Sequence, residues 1–346
     1  MGTWQRRQLW RFVCVAAISA ALAPAHAFAT VYRVGPDQAL KTPSQAARIA
    51  QSGDTVQIEP MPGGYYDCAI WPADDLTIEG VGNDVRLTDT TCQGKAIFVT
   101  VGKRITVRNI TFARARVPDR NGAGIRAEGE DLRIEDSRFI NNESGILAAS
   151  SPNSHITIRN SQFIANGTCS SGHCASAIAV DQIARLTVVN CNISDTKGGD
   201  AISTLATHTE LINNHIEDGA KGTAAYLVEL PAGGSLEMTN NVLDRGPLPS
   251  DPSVAVRVMA GIDANAVKTL SFSGNTLRNN TRAPLTFVLN WTGTTARMQN
   301  NHLPQDATPV SSSGYLWFLT KASIHRSLAV AKAVAKALAK AIYHHL

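Results

Sequence analysis

The sequence predicts an all-β chain: a right-handed parallel β-helix, a three-sheet solenoid, with a short N-terminal capping helix and a C-terminal amphipathic helix. Two observations predict it. An eight-residue pattern recurs along the chain, and a third apolar stretch falls between successive copies. The pattern is apolar, any, apolar β-former, any, then Asn, Asp or Gly, two more residues, and a large apolar one. It reads LRIEDSRF at Leu132, and returns at Leu76, Ile105, Ile156, Leu186, Thr209, Leu236, Leu270 and Ala296. Nine copies start 23 to 34 residues apart. A sustained period in that range marks a stacked repeat, in which each coil buries the apolar face of its neighbour.

Alternation of period two makes each copy a strand whose first and third positions face inward. The fifth position is Gly80, Asn109, Asp136, Asn160, Asn190, Asn213, Asn240, Gly274 and Asn300. These residue types tolerate left-handed backbone and suit a sharp corner. Stacked about 4.8 Å apart, these corner Asn side chains are expected to form a hydrogen-bonded ladder. The last position starts a second wall with Phe112, Phe139, Phe163, Ile193, Ile216, Leu243, Leu277 and Leu303. The intervening third strand is GAGIRAEG from Gly122, SGILAAS from Ser144, SAIAVDQ from Ser176, DAISTLA from Asp200, AAYLVEL from Ala224, VAVRVMA from Val254 and PLTFVLN from Pro284.

Three strands per turn in fixed order resemble the repeat of the pectate-lyase-like β-helix superfamily, over roughly residues 31–303. The blocks KTPSQAARIAQSGDTVQIEP, GKAIFV, VPDRNGAGIR and NESGIL are similar to exported bacterial proteins known only as right-handed parallel β-helix repeat proteins. The resemblance implies the fold. For activity it implies only a range, because this architecture carries lyases, hydrolases, epimerases and non-catalytic stalks.

Residues 1–27 read as a secretory signal. Arg6, Arg7 and Arg11 precede an apolar run from Phe12 to Ala23, too short to span a bilayer, and Ala25, His26, Ala27 offer a small-x-small cleavage site. The β-helix is assigned to 28–306 and a basic Ala/Lys-rich helical tail to 307–346, which places the protein in the periplasm or outside the cell. Thr42 as N-cap, Pro43 at the first helical position and Gly53 as stop predict a short helix over the first coil, with the core strands beginning at Asp54. In an oxidising compartment Cys68 and Cys92 fit one disulfide, and Cys169 and Cys174, bracketing CSSGHC, a second. Cys191 is left as a thiol. That motif is short of ligands for zinc, so neither metal nor cofactor is assigned.

Eight of the 32 basic residues lie in the signal and tail, and the remaining 24 face 28 acidic ones. A body with excess negative charge is not built to hold nucleic acid. In the tail, Val330, Val334, Leu338 and Ile342 form one stripe opposite Lys332, Lys336 and Lys340. Such a helix can cap the last coil or lie on an anionic surface, as in peripheral membrane contact. Nothing calls for an oligomer, so a monomer is expected. The Asn-x-Ser/Thr sequons follow from Asn-rich corners and are treated as incidental.

In this superfamily chemistry usually sits on the outer face of the strand before the Asn-corner strand. Taking Ile125, Ile146, Ile178, Ile202, Tyr226, Val256 and Leu285 as aligned inward residues, the next outward row is Arg126, Leu147, Ala179, Ser203, Leu227, Arg257 and Thr286. Two places on stand Glu128, Ala149, Asp181, Leu205 and Glu229. Carboxylates about 10 Å apart, as Glu128, Asp181 and Glu229 would be, cannot enclose one calcium ion. They fit an acid–base pair for polysaccharide chemistry better, with help from loop acids. The catalytic candidates are therefore Asp119, Arg126, Glu143, Asp181 and Asp200. Asn121, Glu128, Tyr226, Glu229 and Arg257 are the substrate-binding candidates.

Each candidate also fits a plain structural role. Glu229 with Arg257 could be a salt bridge between coils, Arg126 and Glu128 a solvated pair, Asp119 with Asn121 a turn, and Glu143 a cap on a loop amide. The run NCNISDTKGGDAIST superficially resembles a polygalacturonase segment, but it reads Gly199, Asp200, Ala201 and lacks the accompanying motifs. The expectation is an exported protein that binds, and as an enzyme would cleave or modify, a polysaccharide. The competing expectation is a non-catalytic envelope module.

Overall fold

A computed structural model describes residues 29–170, 173–260 and 267–313. The signal expected over 1–27 and the helix expected in the tail lie outside the described residues. The chain winds into three parallel sheets of eleven, eight and ten strands, here sheets A, B and C. Sheet A contains the repeat strands, sheet B the strands that follow each corner, and sheet C the intervening ones. Leu76, Ile105, Leu132, Ile156, Leu186, Thr209, Leu236, Leu270 and Ala296 stack in one register, as the sequence pattern requires. A one-residue slip would turn every apolar side chain outward, so the alternation fixes this register.

The corners superpose too. Asn109, Asp136, Asn160, Asn190, Asn213, Asn240 and Asn300 all have φ between 48° and 55°. The expected ladder, however, stands one residue later. Left-handed backbone at the corner points its own side chain into solvent and turns the next one inward. In the C-terminal coils that next residue is Asn214, Asn241, Asn275 or Asn301. Asn214 Nδ2 donates to Asn241 Oδ1 at 3.0 Å, Asn241 Nδ2 to Asn275 Oδ1 at 2.9 Å, and Asn275 Nδ2 to Asn301 Oδ1 at 2.9 Å. The same amides donate to Val188, Leu211 and Met238 carbonyls of the preceding coil, satisfying polar groups that the core would otherwise leave unpaired. Of the corner side chains, Asn190 reaches Asn160 at 3.3 Å, a contact open to solvent.

The main core is a cluster running the length of the coil, with a small second one at Ala96, Val99 and Ala123. Phe112, Phe139 and Phe163 stack with centroids 5.2 and 4.6 Å apart, because identical positions in successive coils must overlie. Val31–Val34 adds a strand before the first one expected, pairing with Thr55–Ile58. Thr308–Ser311, assigned from sequence to the tail, pairs in sheet C with Thr286–Trp291. The helix Pro43–Ala47 carries a capping box between Thr42 and Gln45, and Pro43, Ala46 and Ala47 are buried. Cys68–Cys92 and Cys169–Cys174 are disulfides, and Cys191 is a buried thiol whose pKa burial pushes up to about 11.

Candidate functional site

The outward face of sheet C presents Arg126, Leu147, Ala179, Ser203, Glu229 and Arg257 in file, one per coil. This corrects the sequence alignment in two coils, by two places in the first and by three in the second. Val228, not Tyr226, stands over Ile202, and Val288, not Leu285, over Val256. Glu229 therefore moves two places, out of the row of Glu128 and Asp181 and into line between Ser203 and Arg257. Alternation cannot detect a shift of two, which leaves every inward residue inward. The hydrogen bonds set it instead: Ala225 N donates to the Gly199 carbonyl, and Leu227 N to that of Ala255.

Over the middle of this file lies a cleft of about 640 Å³. Leu147, Ala179 and Ser203 line its floor, Asp119 and Asn121 one wall, and Cys174 to Ser176 the other. Both walls are fixed. Glu143 is buried, and its Oε2 accepts from the amides of Val117 and Gly122, each at 2.9 Å, which ties down the loop bearing Asp119 and Asn121. The opposite wall is an antiparallel hairpin of Thr168–Ser170 with His173–Ala175, closed by Cys169–Cys174. Beyond Arg120 a second cleft of about 530 Å³ is lined by Arg116, Arg120, Lys197, Asn141 and Glu143.

At one end of the file the structure brings four of the candidates together. Arg257 donates through Nε to Glu229 Oε1 at 2.7 Å, with a second, closer contact from Nη2. Its Nη1 donates to the Tyr226 hydroxyl at 2.7 Å, and its guanidinium lies 4.0 Å from the centre of the Tyr226 ring. Tyr226 OH donates in turn to Asp251 Oδ2 at 3.0 Å. Asp200, 6% exposed, accepts the Tyr226 amide at 3.1 Å, and its carboxyl neighbours that of Glu229. Burial, then the charge of Glu229, holds the Asp200 carboxyl protonated well above the usual carboxylate range, despite the Tyr226 amide and Arg257. Burial raises the Tyr226 hydroxyl as well, against the pull of Arg257. For Asp251 burial works upward, but hydrogen bonds from Ser253 and Tyr226 prevail and keep it ionised.

Beneath this cluster Arg245 and Asp218 form an ion pair shut from water, Nη1 to Oδ2 at 3.2 Å. Arg245 Nη2 donates to the carbonyls of Ala225 and Asp251, so it braces both segments that carry the cluster. Sequence reasoning missed Asp251 and Arg245. Asp251 stands in a Pro/Ser loop that reads as turn chemistry, and Arg245 occupies a strand end where a cation reads as solvated.

The other candidates lie elsewhere on the face. Arg126 Nε is 3.3 Å from Glu128 Oε1, which also meets Lys95 Nζ at 2.7 Å, all partly in water. Asp181 is exposed and accepts the amide of Gln182. The clustered acids already spend oxygens on Arg257 and backbone amides, so they do not form an oxygen cage for a hard cation.

Stacked parallel strands, inward asparagine ladders and a charged file on one outer face define a parallel β-solenoid protein. The chain belongs to the family described as right handed beta helix region, whose model matches residues 96–306. Among solved structures it is similar to the PL6 family alginate lyase AlyGC, at TM-score 0.55 and 17% identity. The match covers 80% of this chain and 40% of that one, so this chain spans about two fifths of that lyase's length. It is also similar to pectate lyase Pel9A, at TM-score 0.53 and 12% identity, covering 82% of each chain. Likeness at these identities is a likeness of fold. No curated protein matches the sequence.

Proposed function

We propose that the protein binds an acidic polysaccharide along the outer face of sheet C, and that Asp200 and Glu229 act on it as acid and base. The observation that carries this reading is the neighbouring carboxyl pair, one member buried and kept protonated and the other held by Arg257, beside a cleft with fixed walls. Arg116, Arg120 and Lys197 favour a polyanion at the far rim. The fold relatives named as lyases of alginate and pectate support a polysaccharide.

The separation of the pair bears on reaction type. Glycosidases keep their carboxyl groups roughly 5 to 9.5 Å apart, too wide for a shared hydrogen bond. A pair in contact suits elimination. A uronate carboxylate taking the place of Glu229 on Arg257 frees Glu229 to remove the proton α to that carboxylate. Asp200 returns a proton to the departing glycosidic oxygen as the carbon–oxygen bond breaks and a double bond forms. Asp119, Asn121, Arg126 and Glu128 then contact flanking sugars, Glu143 positions the cleft wall, and Asp181 lies too far out to join the pair.

A second reading is favoured by the burial of Glu229 and Asp200, each under a tenth exposed beneath Arg257: a groove that binds glycan without turnover. Incubation with uronate and neutral polymers separates the two. Product absorbing as an unsaturated uronide, lost in Asp200→Asn and Glu229→Gln while binding persists, supports the enzyme. Binding without product supports the module. Two disulfides fit export through a signal over residues 1–27 to the periplasm or beyond. The same reading makes the protein a monomer whose helix at Pro43–Ala47 closes the first coil and whose basic tail helix touches anionic membrane or polymer.

A further inference from the structure

We propose that His215, Glu217 and Asp244, on the outer face of sheet B, bind a divalent transition-metal ion of the zinc type. The three residues come from two adjacent coils, with Glu217 directly opposite Asp244 in the parallel register. One ligand atom from each lies within 4.8 Å of the other two, a span that a single ion can bridge with small rotamer changes.

Two features bear on this group. Two carboxylates opposite one another on neighbouring strands repel unless something offsets the charge; Glu210 and Glu237 on sheet A share that arrangement, so it does not by itself mark a site. The nearest cation is Arg278, whose Nη1 is 3.7 Å from Asp244 Oδ2, too long for a hydrogen bond, with its side chain 58% exposed. Asn280 Nδ2 donates to Asp244 Oδ1, so Oδ2, which only the distant Arg278 faces, is the oxygen that would meet an ion. The second feature is the imidazole. His215 Nε2 is closed off from solvent and makes no hydrogen bond, while lying 3.7 Å from Glu217 Oε2. A buried ring nitrogen aimed at a carboxylate it does not reach is the arrangement that an ion between them would satisfy.

The donor set decides the class of ion. An imidazole nitrogen among the donors suits zinc and its neighbours, whereas calcium and magnesium take oxygen-only shells. Three protein ligands leave further positions to water. The ion would clip one coil to the next, so it would stabilise the fold rather than take part in chemistry on sheet C. Sequence spacing gives no hint of the site, because Glu217 and Asp244 are neighbours only after a full turn is wound.

The full chain, stripped with EDTA and dialysed, is titrated with ZnCl₂ by calorimetry and thermal unfolding. One equivalent should bind, and the midpoint should rise by about 5 °C at a hundredfold excess over Kd. His215→Ala, Glu217→Gln and Asp244→Asn should each abolish binding while keeping the metal-free circular dichroism and midpoint of the parent. His208→Ala, altering a histidine beside Glu237 on sheet A, should leave it intact. Absence of binding to the parent chain, or binding unchanged in the three variants or lost equally in His208→Ala, overturns the proposal.

Discussion

Sheet C has a charged group at each end of its outward file, and the two differ in how far they are from water. Arg126, Glu128 and Lys95 keep between 23% and 39% of their side-chain surface. Glu229 keeps 10%, and Asp200 lies behind it. The same residue types therefore do different things. In the open group each charge is solvated and shares its partners with water. In the closed group one carboxyl is forced to hold its proton, and a guanidinium is committed to the other. On the proposed reading, burial beside Tyr226 and the Arg245–Asp218 pair turns a surface ion pair into an acid–base unit.

The comparison breaks most directly on turnover. On the proposed reading Asp200→Asn and Glu229→Gln each lower kcat by about 10² to 10⁴, the usual contribution of a positioned acid or base, while Arg126→Ala acts mainly on KM. Initial rates on a uronate polymer test this. Equal losses at the two ends would mean that burial does not select the working group. Stability gives the next largest contrast. Arg257→Ala strands a mostly buried Glu229 carboxylate and should cost about 2–3 kcal/mol in urea unfolding, below the 3–5 kcal/mol of a fully enclosed pair because part of Arg257 remains in water.

The pH dependence sharpens the same point. Asp200 has a folded pKa above its unfolded value, so its contribution to stability is fully present below about pH 3.9 and is lost as pH rises through the raised folded pKa. Asp200→Asn cannot ionise and should remove that loss. Unfolding midpoints of parent and variant should diverge in the variant's favour as pH climbs above 4, and parallel curves would contradict a protonated Asp200.

Much of the fold was legible because the repeat repeats. Each inward Leu, Ile or Val is constrained by the alternation and by its equivalents in the coils above and below, and nine copies average out local exceptions such as Thr209. The ladder was misplaced by one residue because Asn240 and Asn241 are the same letter, and only the left-handed φ of 55° at Asn240 decides which one turns inward. The site was less legible for a related reason. Its residues come from loops of unequal length, so Tyr226 could slide by two places without disturbing the pattern. Asp251 and Arg245 are brought to Tyr226 by packing that no period encodes. Composition and alternation report which way a residue faces, and only the wound coil reports how deeply a charge is covered.

The smallest expected effect concerns the open end and is the most diagnostic of the contrast. Lys95→Ala and Glu128→Ala each remove one partner from a group whose members already exchange with water. Exposed pairs of this kind contribute about 0.2–1 kcal/mol, and raising salt from 0.05 to 0.5 M should erase what there is, since the screening length then falls to about 4 Å. Glu229 and Arg257 should respond far less to the same salt, because little solvent separates or surrounds them. A double-mutant cycle for each pair, repeated at the two salt concentrations, measures this. A coupling at Lys95–Glu128 as large and as salt-resistant as that at Glu229–Arg257 would show that the open group is electrostatically closed after all, and that the distinction between the two ends of the file rests on geometry alone.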